Sequence, residues 1–211
     1  MDAPAGLTVP KQLLDEGDDS SFFSSQEISN SIFQRIYGKS YKEDCTVSRT
    51  DLRYVRVLHM GFDGEVHTGE LIVNATISED ILKIFYELFK AGYPIEKMHL
   101  IDDYDGDDAL SMTDNNTSGF NYRVIQGSDV WSNHSKGLAV DVNPLYNPCV
   151  KMVDGETVCE PAAAAAYTER EQDFDHKIDE HDLCYEIFTK YGFSWGGSWE
   201  GVKDYQHFEK T

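Results

Sequence analysis

The sequence predicts an α+β fold in which a small antiparallel sheet carries the functional site and packs against amphipathic helices. Three observations point to it. Residues 52–60 and 66–73 alternate apolar and polar positions around a Phe62-Asp63-Gly64-Glu65 turn, which is the pattern of a β-hairpin. Ile81, Ile84, Phe85, Leu88 and Phe89 recur at helical spacing and leave one apolar face to be covered. Leu138-Ala139-Val140-Asp141-Val142 reads as a buried strand interrupted by a single carboxylate.

With 211 residues and 40% apolar content the chain can bury one core. One domain is therefore expected over residues 25–211, preceded by a flexible acidic segment over residues 1–24. Within that segment Asp15-Glu16-Gly17-Asp18-Asp19-Ser20-Ser21 is a solvated run. A formal charge of -20 repels phosphate backbones and anionic lipid, so neither nucleic acid nor a membrane surface is an expected partner. No apolar run approaches the ~20 residues of a spanning helix. The first residues lack the basic and apolar regions of a signal peptide.

In chain order, Ile28, Ile32, Phe33 and Ile36 predict a first helix from Ser25, with Gly38 just past its end. The hairpin follows. Its His59 and His67 have no third ligand at suitable spacing and read as hydrogen-bonded strand histidines. Ser78-Glu79-Asp80 caps the second helix, and Gly92 and Pro94 end it. In the acidic loop beyond, Asp103, Asp105 and Asp107 match the opening ligand positions of a calcium loop. The required Gly is displaced, however, and Asp114 stands where a bidentate Glu belongs, so the stretch reads as a solvated loop. Residues 115–123 are rich in short polar side chains and predict an ordered loop that feeds a strand.

Cys149 and Cys159 stand at the two ends of a hairpin around Asp154-Gly155, and both the bridged and the free reading remain open. Cys45 and Cys184 read as small buried hydrophobes. Pro161 and the five alanines after it predict a short helical connector. A polar stretch holding His176 and His181 leads to a helix with Leu183, Cys184, Ile187 and Phe188 on its apolar face, ended by Gly192. The Asn-x-Ser/Thr triplets at Asn74, Asn115, Asn116 and Asn133 read as chance, since a glycan on Asn133 would obstruct its neighbour His134.

The chemistry concentrates in two stretches. His134 and Asp141, joined by His207 far along the chain, can supply three protein ligands to one Zn²⁺ and leave a fourth position open. Asp204, three residues before His207, can act as a general base beside that metal. A buried Asp141 must find a cation or neutralise. Ser132 and Ser135 lie in no G-x-S-x-G elbow, which argues against a serine nucleophile. Arg123 alone would read as a surface ion pair, although its planar fork suits a carboxylate or an oxyanion.

Ser132-x-His134-x-x-Gly137-Leu138-Ala139-x-Asp141, then Gly192-Phe193-x-Trp195-Gly196-Gly197-x-Trp199, then Asp204-x-x-His207-Phe208-Glu209 appear in that order. Together with Asn116-Thr117-Ser118-Gly119-Phe120-Asn121-Tyr122-Arg123, they make the chain resemble the D-alanyl-D-alanine carboxypeptidase and L-alanyl-D-glutamate peptidase family of zinc peptidases, which share the hedgehog-type fold, over roughly residues 25–211. The resemblance implies that His134, Asp141 and His207 hold zinc, that Asp204 is the catalytic base and that Arg123 polarises the scissile carbonyl or binds a substrate carboxylate. It further implies Ser132, Trp195 and Trp199 as substrate-binding residues and a peptidoglycan stem peptide as substrate. Such a substrate lies outside the cytoplasm, so an export signal or anchor is expected upstream of these residues. D,D-carboxypeptidase, L-alanyl-D-glutamate endopeptidase and a non-catalytic zinc-stabilised binding module are the rival readings.

Overall fold

The computed structural model describes residues 4–15 and 19–211, so Glu16, Gly17 and Asp18 of the acidic run lie outside the described residues. The elements in chain order are α1 (Lys11–Asp15), β1 (Ser24–Glu27), α2 (Asn30–Ile36), β2 (Leu52–Met60), β3 (Val66–Asn74), α3 (Ser78–Lys90), α4 (Asp108–Thr113), β4 (Ala139–Asp141), β5 (Cys149–Val153), β6 (Glu156–Glu160), α5 (Leu183–Lys190), β7 (Ser194–Trp195), β8 (Lys203–Asp204) and β9 (His207–Glu209). They form three antiparallel sheets in the orders β1-β2-β3, β4-β9-β7 and β6-β5-β8. The α+β expectation holds.

The largest sheet is the platform. Its β2–β3 hairpin sets His59 opposite His67, and α3 lays Ile81, Ile84, Phe85 and Leu88 against Val55, Val57, Leu71 and Val73. Phe188 of α5 stacks on Phe208 of β9 at 4.3 Å and meets Phe85 and Phe193 edge-on, which joins the sheet of β9 to the same core.

The outer edge of β3 would be an open row of backbone groups, and loops cover it. Gly6, Leu7 and Val9 pair with the start of the strand, Met98 accepts the Glu70 N–H, Phe120 donates to Ile72, and Gly137 accepts the Asn74 N–H at 2.7 Å. Two of these loops carry functional residues, so the strand edge sets where they lie. Gly137 has φ +69°, and a Cβ there would meet the Asn74 nitrogen at 2.7 Å, so only glycine permits this approach.

Three details differ from the sequence reading. Residues expected to open the first helix form β1 against β2, and the helix begins at Asn30, where the Ser29 hydroxyl accepts the Ile32 N–H. Ser24–Glu27 offers no apolar helical face, whereas the edge of β2 offers backbone partners. Ser78 does not cap α3 through its side chain. Its hydroxyl donates to the Ala75 carbonyl instead. Finally, the C-terminal strand is broken, with β8 pairing to β5 and β9 to β4 and β7.

The acidic loop is an ordered support. Asp102 takes the N–H and hydroxyl of Ser40, Asp103 pairs with Arg35, Asp105 with Lys39, and Asp107 caps α4 by accepting the Leu110 N–H. Each carboxylate answers to a different partner, which leaves no shared point for calcium.

His59 yields a stability prediction. It is buried, its Nδ1–H donates to the Ile95 carbonyl at 2.8 Å, and burial pushes its imidazole down to about 4. The folded value lies below the unfolded one of about 6.5, so in that window the unfolded chain binds a proton that the folded chain refuses. This contribution is therefore present above about pH 6.5 and lost as pH falls toward about 4, by roughly 3 kcal/mol. Melting temperature measured against pH should show a flatter acid arm in His59→Leu than in the wild type.

Candidate metal centre

The register of β4 against β9 places Asp141 opposite His207 and Val140 opposite Phe208. Cross-strand partners share a face, so Val140 and Phe208 enter the core while Asp141 and His207 turn to the other side together. His134 arrives from a tight turn over Asn133–Lys136. The Ser132 hydroxyl caps that turn by accepting the His134 N–H, and Gly137 closes it.

His207 Nδ1 lies 3.0 Å from Asp141 Oδ1, and His134 Nε2 lies 3.1 Å from Asp141 Oδ2. The two ring nitrogens are 3.2 Å apart. All three residues are buried.

The outer ring nitrogens fix the tautomers. His134 Nδ1 is 2.7 Å from the Gly119 carbonyl, which can only accept, so the proton sits on Nδ1 and Nε2 presents its lone pair. His207 Nε2–H donates to Glu209 Oε2 at 3.0 Å, and that oxygen also accepts from Asn133 Nδ2 at 2.7 Å. Nδ1 of His207 is thereby left as a lone pair. Two lone pairs and a carboxylate within hydrogen-bond distance repel one another unless a cation joins them, and the outer hydrogen bonds are those that orient metal-binding imidazoles. These residues can hold a divalent metal. Burial alone would raise the Asp141 carboxyl, yet His134 and His207 hold it well below the usual carboxylate range. Burial likewise opposes charge on His207, but its bonds to Asp141 and Glu209 prevail and raise it, so a proton competes with a metal for the Nδ1 lone pair.

Asp204 lies on β8 opposite Cys149, with Oδ1 buried and no hydrogen-bond partner. Burial pushes this carboxyl up to about 6, with His207 pulling it down and Asp141 pushing it further up. A Cβ on Gly196 would meet the Asp204 carbonyl oxygen at 2.6 Å, so the glycine turn after Trp195 is what lets Asp204 reach this depth.

His134, Asp141, His207, Asp204, Arg123, Ser132 and Trp199 line one cleft of about 570 Å³. Ile125, Val130, Trp131 and Val202 give it apolar walls. Arg123 reaches it with Nη2 on Asp108 Oδ2 at 2.6 Å. The ring of Trp199 stands 5.2 Å from that of His207.

Trp195, expected to bind substrate, is not among the residues that line the cleft. It is buried between Tyr185 and Tyr205, and its indole N–H donates to the Tyr205 carbonyl. Cys149 and Cys159 are free thiols. Cys149 faces Glu160 and Cys159 faces Val150, so the two are one residue out of phase and project from opposite sides of the hairpin. Sequence reasoning missed the Gly119 carbonyl, Glu209 and Asp108. Only Glu209 carried a signal, standing two residues from His207 and hence on the same strand face.

The α+β scaffold thus gathers a His/Asp/His set that can hold a metal beside the Asp204 carboxyl in one cleft. Residues 126–210 match the family described as D-alanyl-D-alanine carboxypeptidase, which agrees with the resemblance carried by its motifs. No curated protein and no solved structure matches the chain. The matched residues include His134, Asp141, Asp204 and His207, whereas Asp108 and Arg123 lie upstream of them.

His134→Ala should lose bound metal on dialysis, and full occupancy by elemental analysis would exclude His134 as a ligand. Glu209→Ala should fold and bind metal roughly 10- to 100-fold more weakly in chelator competition, because His207 loses the acceptor that fixes its tautomer.

Proposed function

We propose that the protein is a zinc-dependent D,D-carboxypeptidase that removes the terminal D-alanine from peptidoglycan stem peptides outside the cytoplasm. The observation that carries this reading is the convergence of His134, Asp141 and His207 in the cleft that also holds Asp204, whose Oδ1 is buried with no hydrogen-bond partner. Zinc, when bound, supplies a Lewis acid that makes water more acidic and polarises a carbonyl. Imidazole nitrogen and carboxylate oxygen are donors that zinc accepts readily.

The chain's own residues supply the rest. Asp204 takes a proton from the attacking water as the new C–O bond forms, and returns it to the amine nitrogen as the C–N bond breaks. Arg123 places positive charge beside the oxyanion that develops on the substrate carbonyl. Ser132 holds the His134 turn in shape, and Trp131 and Trp199 give the peptide apolar surface to lie against.

One observation favours the endopeptidase alternative, cleavage between L-alanine and D-glutamate. Arg123 and Lys151 already answer to Asp108 and Glu160 at 2.6 and 2.7 Å, so neither is a ready anchor for a chain-terminal carboxylate. Mass spectrometry of muropeptides incubated with the protein, with and without chelator, separates the readings. Loss of terminal D-alanine supports the carboxypeptidase, release at L-alanine supports the endopeptidase, and no metal-dependent change refutes both. Asp204→Ala should keep its metal and lose turnover by roughly 10²- to 10⁴-fold. Near-wild-type turnover in that variant would remove Asp204 from the mechanism.

A further inference from the structure

Of the aspartates in the acidic loop, Asp108 is the one that lines the cleft. It is the first residue of α4, which is fastened to the site's other loops. Asn116 donates its side-chain amide to Ser111 Oγ and its backbone N–H to the Ser111 carbonyl, and Asn121 donates to the Gly106 carbonyl. The Asp108 carboxylate therefore sits on a rigid support. Arg123, by contrast, leaves the backbone at the edge of the loop that carries Ile125 and Val130, on a flexible stem.

The bonds of Arg123 are unequal. Nη2 meets Asp108 Oδ2 at 2.6 Å, Nη1 makes only a 3.4 Å bond to the Val124 carbonyl, and Nε is buried with no acceptor. One carboxylate thus sets the position of the whole guanidinium. The same cleft holds Asp141, Asp204, Glu160 and Glu209. A guanidinium released from Asp108 would be drawn to one of these acids, and capture by Asp204 or Asp141 would neutralise the group that takes the proton or one that holds the metal.

We propose that Asp108 is the positioning residue of the reaction: it holds Arg123 at the cleft wall, away from Asp141 and Asp204, with Nη1 left for the substrate oxygen. The inference rests on the peptidase reading of the cleft and adds to it a residue outside the stretch matched to the family. It also gives the acidic loop a task, since the contacts of its other aspartates with Ser40, Arg35 and Lys39 keep α4 and Asp108 in place.

The test is a double-mutant cycle on the metal-loaded full chain, together with side-chain NMR of the ¹⁵N-labelled arginines. Asp108→Asn keeps the shape of the side chain and removes its charge. It should retain metal and melting temperature, lower kcat by roughly 10- to 100-fold with a smaller change in KM, and shift the Arg123 guanidinium resonance. Adding Asp108→Asn to Arg123→Ala should cost nothing further, because the first acts only through the second. Losses that multiply, a kcat within about twofold of the wild type, or an unmoved Arg123 resonance would each overturn the proposal. Absence of any hydrolysis by the wild type would overturn the peptidase reading and with it the role in turnover. The resonance would still report whether Asp108 holds Arg123, so the two failures are told apart.

Discussion

The structure depends on one unfavourable arrangement made tolerable: a buried aspartate and two buried imidazole lone pairs aimed at the same point. Asp141 and His207 are brought face to face by strand register, and His134 is delivered by a capped turn. The register holds because Val140 and Phe208, on the opposite faces of the same strands, are locked into the core under Phe188. Hydrophobic packing on one side of a short sheet therefore fixes polar geometry on the other. A cation removes the repulsion among the three groups, and the outer bonds to Gly119 and Glu209 ensure that the imidazoles offer lone pairs to it.

The loops around this centre are held by backbone more than by side chains. The outer edge of β3 accepts or donates to residues near the N-terminus, at Met98, at Phe120 and at Gly137, so one strand aligns the segments that carry His134 and Arg123. The break between β8 and β9 matters equally. A continuous strand would keep Asp204 and His207 in one sheet, whereas the turn at Tyr205 and Gln206 lets β8 join the β5–β6 hairpin and brings Asp204 to the cleft from a second sheet.

Much of this was legible in the sequence. The hairpin of β2 and β3, the helices α3 and α5 and the buried strand with its lone carboxylate all carry strong periodicity, and His134, Asp141, Asp204 and His207 were nameable from residue type and spacing. What escaped has physical reasons. The carbonyl of Gly119 has no side-chain signature, and Asp108 is one aspartate among many until the fold turns it toward Arg123. β1 carries no period of its own and exists because β2 has an edge to fill. Trp195 and Trp199 stand in the same glycine-rich motif, but strand pairing buries the first and leaves the second at the cleft. For Cys149 and Cys159 the sequence left both outcomes open, and a one-residue phase difference in the hairpin decides between them.

X-ray absorption at the zinc edge, on protein loaded with one equivalent of zinc, tests the metal centre most directly. The expected spectrum shows imidazole scattering from two rings, with nitrogen and oxygen neighbours at about 2.0–2.2 Å and no sulfur. A sulfur neighbour at about 2.3 Å, or a shell without imidazole, would contradict it.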